Sequence, residues 1–485
     1  MSNAIEGLQP ERVWKYFAEI SKIPRGSKDE AAVARFVLKT AKRFNLKAGQ
    51  DDYGNVIVRK PATPGREHVC SIALQGHLDM VCEKNANIVH DFSKDPIEIV
   101  RKDGMLMANG TTLGADNGIA VATNLAIMES ADLEHGPLEL LFTIDEETGL
   151  TGAANLKSDF LKSRTLINLD SEEEGELFVG CAGGRNTTGT WTFDFEKGTG
   201  KFSAQTLRVK GLKGGHSGLE IEKGRGNSLK IINRVLFALT ELGARLSALN
   251  GGNKSNAIPR EAEALLFIPK KKLEEVQEVV TQFNQTIRAE LSTVEPDLQI
   301  SLAEAAEGNK GKVLPLSLQR KICQTLSALP HGVTKMSAEI TWLVETSTNL
   351  AVIQTGKKGI ILTTSQRSSV ASEMDEICQT VRSTLELGKA RVEQADGYPG
   401  WKPNLDSPIL KVAQETYQSI FGKEPQVKAV HAGLECGIIG EKFPGMDMVS
   451  FGPTLRGVHS PDECIEIDSV ERFWTFLLGI LRNAK

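Results

Sequence analysis

No apolar run in this 485-residue chain approaches the roughly 20 residues that a membrane-spanning helix needs, which argues against a membrane partner. Residues Met1 to Pro10 hold no basic segment followed by an apolar stretch and predict no secretory leader. Cysteine is sparse and unpatterned. The seven residues Cys70, Cys82, Cys181, Cys323, Cys378, Cys436 and Cys464 are odd in number and form no C-x-x-C pair, which argues against a disulfide framework or a cysteine-zinc cluster. Free thiols used as small core residues fit a reducing compartment, so a cytoplasmic protein is expected. An excess of basic residues is also missing: 57 Lys and Arg stand against 62 Asp and Glu, net −5. The electrostatic footprint of a nucleic-acid binder is therefore absent, and no low-complexity segment interrupts the chain.

What is present is an ordinary globular composition, 40% apolar and 25% charged, on a chain too long for one hydrophobic core. Residues 11–20 and 28–44 carry helical periodicity. Four short apolar runs then end in polar clusters: Val69 to Leu74 before His77-Leu78-Asp79, Leu138 to Ile144 before Asp145-Glu146-Glu147, Thr165 to Leu169 before Asp170, and Met448 to Phe451 before a Gly/Pro-rich loop reaching His459. Continuous apolar strands imply burial on both faces, as in a parallel sheet covered by helices. Asp116 to Ser130 reads as one such helix, with Asp116 at its start. The fold class is α/β, with a mixed sheet carrying helices on both faces. Ligands in such folds sit beyond the carboxyl ends of the strands, so the four polar clusters are expected to converge.

The middle of the chain lacks acid-tipped strands. Strands are expected at 206–209, 264–268, 337–344, 349–354 and 360–365, and helices at 228–242, 272–291, 316–329 and 373–387. This reads as an inserted α+β domain of two similar halves without a residue-level repeat. The expected division is 1–186 and 398–485 for the first domain and 187–397 for the insertion.

Singly, each polar cluster has a plain explanation: a surface turn for His77-Leu78-Asp79, helix capping by Asp116, a solvated turn for Asp145-Glu146-Glu147. Jointly they offer two His, two Asp and one Glu at strand ends and a helix start. Crowded carboxylates repel one another unless a cation compensates. Mixed His and carboxylate donors suit zinc, manganese or cobalt, and five ligands with one shared carboxylate suit two metals. A further carboxylate is left free as a general base.

These residues as a set resemble the M20 family of co-catalytic metallopeptidases over nearly the whole chain. Within it, the aminoacyl-histidine (Xaa-His) dipeptidase branch is the one whose HLDMVCEKN stretch and VHSPDE loop look alike here. The resemblance implies a zinc-peptidase catalytic domain and a lid or dimerisation domain. It implies that His77 and Asp170 hold one metal, Glu147 and His459 the other, and that Asp116 bridges them. Glu146 is then the general base acting on a bridging water, and Asp79 orients His77. Asp rather than Glu at position 170 goes with aminopeptidases and dipeptidases. Gly214-Gly215-His216-Ser217-Gly218 matches the lid motif whose His reaches the substrate carbonyl. Asn256 matches a lid substrate contact and Arg367 the Arg that grips a substrate carboxylate. His431 and Glu435 depart from the family's commoner Gly-Gly-Thr pattern and are left out of the site.

The function the resemblance implies is hydrolysis of small peptides, Xaa-His dipeptides such as carnosine among them, by two divalent cations, with Zn2+ expected and Co2+ or Mn2+ as alternatives. The stretch 187–397 is long enough for a doubled lid serving its own chain, or for a lid that pairs across a dimer; family habit favours a homodimer. A deacylase or tripeptidase on the same scaffold and a metal-free binding protein are the competing readings.

Overall fold

A computed structural model describes residues 3–198, 201–305 and 311–485. The chain divides into two compact units. The first comprises Met1–Cys181, Trp401–Ala429 and Leu434–Lys485; the second comprises Ala182–Gly400 and Val430–Gly433.

The first unit is built on a mixed sheet. Its strands are β1 (Lys47–Gln50), β2 (Val56–Lys60), β3 (Ile72–His77), β4 (Leu138–Thr143), β5 (Thr165–Asn168), β6 (Glu176–Cys181), β7 (Gln426–Val430) and β8 (Asp447–Ser450), in spatial order β1-β2-β4-β3-β5-β8-β6-β7. The central four, β4, β3, β5 and β8, are parallel. Every residue of β3 and β4 is buried. Because successive side chains point to opposite faces, both faces of the sheet are covered there. The four parallel strands necessarily end on one edge, and the four polar clusters follow them there.

Helix α1 (Glu11–Ile20) buries Trp14, Tyr16 and Phe17 along its apolar stripe. It packs on α2's neighbour α3 (Ala115–Glu129), while α2 (Ala31–Arg43) lies against β1 and β2. Helix α3 is apolar all round, and its residues Ile119 to Met128 are all buried, as expected of a helix enclosed by the core. Its start lies directly on β3 because position 76 is glycine. A Cβ there would sit 2.4 Å from Asn117 Oδ1 and 2.6 Å from the Ala120 methyl. This close approach places Asp116 beside His77.

The second unit carries an antiparallel sheet whose topology is doubled. In one half the order is Gln299–Glu304, Phe202–Lys210, Ala262–Pro269, Arg245–Gly251; in the other it is Val344–Thr355, Gly359–Ser368, Gly183–Thr192, Arg391–Gln394. With helices Ser228–Glu241 and Leu273–Glu290 in the first half, and Leu316–Ala328 and Ala371–Leu387 in the second, each half is a βαββαβ unit with strand order 4-1-3-2. The halves join through their second strands, where Gly251 pairs with Ile353.

One expected strand is absent. Ser337–Val344 is mostly a turn, because the Ser337 hydroxyl accepts the backbone N–H groups of Glu339 and Ile340 and Leu343 N–H donates to the Ile340 carbonyl. Local side-chain bonding of this kind competes with strand pairing. The strand that does pair with Val344–Thr355 lies earlier, at Gly332–Met336. No helix among the described residues is long and apolar enough to cross a membrane.

Candidate metal centre

His77 closes β3, fully buried, and its backbone N–H donates to Asn117 Oδ1 at 3.2 Å. The Asn117 side chain in turn donates to the Leu169 carbonyl at 2.9 Å, so one side chain ties β3, the start of α3 and the Asp170 loop together. Asp116 has non-helical backbone angles, and its carboxylate faces the cluster instead of capping α3. Oδ1 lies 3.1 Å from His77 Nε2 and Oδ2 lies 3.2 Å from His459 Nε2. His77 Nε2 is also 3.4 Å from Asp170 Oδ1, and His459 Nε2 is 2.9 Å from Glu147 Oε2. Two donor groups result, His77-Asp116-Asp170 and Asp116-Glu147-His459, each with its ligand atoms within 4.8 Å of one another. They share Asp116, one oxygen for each.

Of the three acids after β4, Asp145 turns away. It adopts a left-handed conformation (φ 49°), and its carboxylate accepts the hydroxyls of Thr148 and Thr151. That turn lifts Glu146 and Glu147 toward the cluster. Asp79 fixes them from below: its two oxygens accept the backbone N–H groups of Glu146 (3.0 Å) and Glu147 (3.2 Å). Ser27 donates to it at 2.8 Å, and Oδ1 faces His77 Nδ1 at 3.3 Å.

The electrostatics follow from crowding. Burial alone would lower the His77 pKa, but Asp170, Asp116 and Asp79 together raise it well above the ordinary imidazole value. Hydrogen bonds to Asp116 and Glu147 push His459 up to about 11. Burial lifts Asp170 to about 6 and, with Asp170, Glu435 and Glu147 nearby, lifts Glu146 well above the carboxylate range. Burial would also lift Asp79, but His77, the Glu146 N–H and the Ser27 hydroxyl hold it at about 2. Five carboxylates around two imidazoles constitute a strongly anionic pocket, and Glu147 Oε1 is buried with no partner among the described residues. Oxygen and imidazole donors in two triplets with a shared carboxylate fit a pair of divalent cations.

His216, Asn256 and Arg367 lie in the second unit. His216 pairs with Ala257 across a two-residue ladder, and the Asn256 carbonyl accepts the Ser217 N–H at 2.9 Å. Asn349 donates to the carbonyls of Ser255 (3.1 Å) and Ala257 (2.8 Å), which pins the Asn256 loop to the sheet. His216 Nδ1 accepts the N–H groups of Gly218 (3.2 Å) and Leu219 (3.1 Å). In the neutral ring the proton is thus on Nε2. Burial and the nearby Arg367 guanidinium lower its pKa to about 4.

A family model described as peptidase family M20/M25/M40 matches residues 73–483. The chain belongs to this peptidase family. The M20 chain is 40% identical over 477 residues to the cytosol non-specific dipeptidase of Escherichia coli (strain K12), covering 98% of each. The crystal structure of aminoacylhistidine dipeptidase from Vibrio alginolyticus superposes with a TM-score of 0.91 at 40% identity, covering 99% of this chain and 98% of that one. Aminopeptidase PepT from Bacillus cereus ATCC 10987 shares the fold, with a TM-score of 0.58 at 16% identity over 98% of this chain and 99% of that one.

Two features of this M20 site escaped sequence reading, and a third, Glu435, was noticed but left out of the site. Glu463, fully enclosed, accepts the N–H groups of Leu113, Gly114, Ala115 and Asp116 at 2.7, 2.8, 2.7 and 3.2 Å. It thereby ties the His459 loop to the start of α3, as a carboxylate at a helix N-terminus should. Its place four residues after His459 was the available signal. Buried Arg25 donates to the carbonyls of Leu78 and Asp79 at 3.0 Å and to Gly114, bracing the segment after β3 against the start of α3. Glu435, wholly buried, accepts from Gln75 (2.5 Å) and Thr143 (2.7 Å). Asn168 donates to Gln75 at 2.5 Å, so a polar network crosslinks the ends of β3, β4 and β5.

Proposed function

We propose that this chain is a cytoplasmic di-metal dipeptidase that cleaves unblocked dipeptides, Xaa-His dipeptides among them, and works as a homodimer. The observation that carries the reading is Asp116, whose two oxygens face His77 and His459 separately at 3.1 and 3.2 Å. His77 and Asp170 would hold one cation, Glu147 and His459 the other, and Asp116 both; zinc suits the donor set best. When bound, the cations supply Lewis-acid activation of water and of the peptide carbonyl.

The chain's own residues supply the rest. Glu146 takes the proton of the attacking water on a carboxylate oxygen and returns it to the departing amine. Its buried, acid-rich surroundings raise its proton affinity, which favours taking up the water's proton. Asp79 holds the His77 ring and the Glu146-Glu147 backbone in one arrangement. Neutral His216 offers an Nε2 proton to a carbonyl oxygen as it gains charge, Asn256 lends a further polar contact, and Arg367 takes a substrate carboxylate.

The test is Glu146→Gln in metal-loaded protein, assayed on dipeptides, tripeptides and N-acyl amino acids. The expected result is two cations retained per chain with turnover on dipeptides reduced by roughly 10²–10⁴-fold. Substantial retained turnover would remove Glu146 from the role of base. Preference for N-acyl amino acids or tripeptides would replace the dipeptidase reading.

A further inference from the structure

The second unit holds a guanidinium without a counter-ion. Arg367, on Gly359–Ser368, is 6% exposed. Its Nη1 donates to Tyr398 Oη at 3.1 Å, its Nε is buried and unpartnered, and no carboxylate pairs with it among the described residues. A buried charge is costly to leave in this state, so its surroundings define what would complete it.

Its cross-strand neighbours and its hydrogen-bond partner are uncharged. Ser347 stands directly opposite Arg367 across the strand pair, so the two side chains share one face of the sheet. The Ser347 hydroxyl lies 2.7 Å from Nε2 of buried His431. His431 arrives on Val430–Gly433, a segment fastened by the Ala182 N–H, which donates to the carbonyls of Val430 and Ala432 at 3.0 Å. Burial and Arg367 lower the His431 pKa to about 3. The other cross-strand neighbour of Arg367 is Gly184. A Cβ at Gly184 or at Gly433 would come within 2.8 Å of the Tyr398 ring. The two glycines therefore form the slot that seats Tyr398 with its hydroxyl on the guanidinium. The acid beside His216, Glu220, is engaged by Arg225 at 2.6 Å and by the His216 N–H at 2.9 Å.

Taking the dipeptidase reading above as its basis, we propose that Tyr398 and His431 are positioning residues that hold Arg367 oriented and unpaired for the free C-terminal carboxylate of the substrate. Tyr398 fixes one edge of the guanidinium fork. His431 fills the place beside the Ser347–Arg367 rung with a group that hydrogen-bonds but brings no negative charge. An acid in that place would quench the guanidinium from within the chain. A planar fork with free donors matches a carboxylate, so the frame sets the preference for an unblocked carboxyl end.

The experiment compares kcat and KM for a dipeptide and its C-terminal amide in full-length, metal-loaded wild type, Tyr398→Phe, His431→Glu and His431→Gln, with thermal midpoints recorded for each. Tyr398→Phe is expected to raise KM for the dipeptide about tenfold, the loss of about one hydrogen bond to a charged group, with the loss falling on KM rather than kcat and sparing the amide. His431→Glu is expected to abolish the preference for the carboxylate, and His431→Gln to restore most of it. Unchanged carboxylate-to-amide preference in Tyr398→Phe, or an equal loss on both substrates, overturns the proposal; this holds even if His431→Glu does not fold. Wild-type protein that cleaves no dipeptide overturns the dipeptidase reading instead.

Discussion

The two units use histidine in opposite ways. In the first, His77 and His459 sit among carboxylates and are driven toward the protonated state. In the second, His216 and His431 sit beside Arg367 and are driven toward the neutral state, to about 4 and about 3. Burial favours the neutral form in all four. The sign of the neighbouring charge decides the outcome. An anionic nest with imidazoles is suited to cations, and a cationic nest with neutral imidazoles is suited to anions.

This contrast is best broken at Asp116, where the anionic nest has its centre. Asp116→Ala is expected to leave at most one cation per chain by elemental analysis and to lower turnover by roughly 10³-fold or more, since several kcal/mol of charge stabilisation is lost. Two tightly held cations in that variant would show that Asp116 is not shared. Next in size, Glu463→Ala strands four backbone N–H groups in a buried place and is expected to destabilise the protein by roughly 3 kcal/mol in denaturant unfolding. An unchanged midpoint would mean that the helix start is held by Arg25 alone. Asp79→Asn keeps the shape while weakening the hold on His77, and should weaken metal affinity by about 10–100-fold, read by competition with a chelator.

The smallest effect probes the cationic nest. His431 is neutral in the folded chain down to about 3, whereas an unfolded histidine takes its proton near 6.5. Between these values the unfolded state binds more protons, so stability present above about 6.5 is lost as pH falls through this window, by up to about 1.4 kcal/mol per pH unit for this one group. His431→Gln should flatten the acid limb of the stability profile by that amount. An identical acid limb in the two proteins would show that the ring is free to charge.

The parallel core was legible because β3, β4, β5 and β8 are nearly continuous apolar runs with polar residues at their ends, and parallel pairing necessarily collects those ends on one edge. The frame around the cluster was not. Glu463 and Arg25 act on backbone groups and Gln75 on the side chains of Thr143, Glu435 and Asn168, and such bonds leave no spacing in the sequence. The doubled sheet of the second unit could be suspected from its order of elements, but its symmetry resides in strand order, which residues do not repeat. Ser337–Val344 was misread because its apolar alternation resembles a strand, while the Ser337 hydroxyl, two and three residues from the N–H groups it takes, closes a turn. Val430–Gly433 carried no mark of belonging with the second unit at all.

The Glu463 bond has a consequence for synthesis. His459 and Glu463 follow the whole of the second unit in the chain, yet Glu463 secures the helix start that presents Asp116, and His459 faces Asp116's second oxygen. A chain emerging from the ribosome thus carries six of the seven cluster residues while the second unit is being made, without the loop that completes the arrangement. The donor cluster therefore closes only after the second unit has been made.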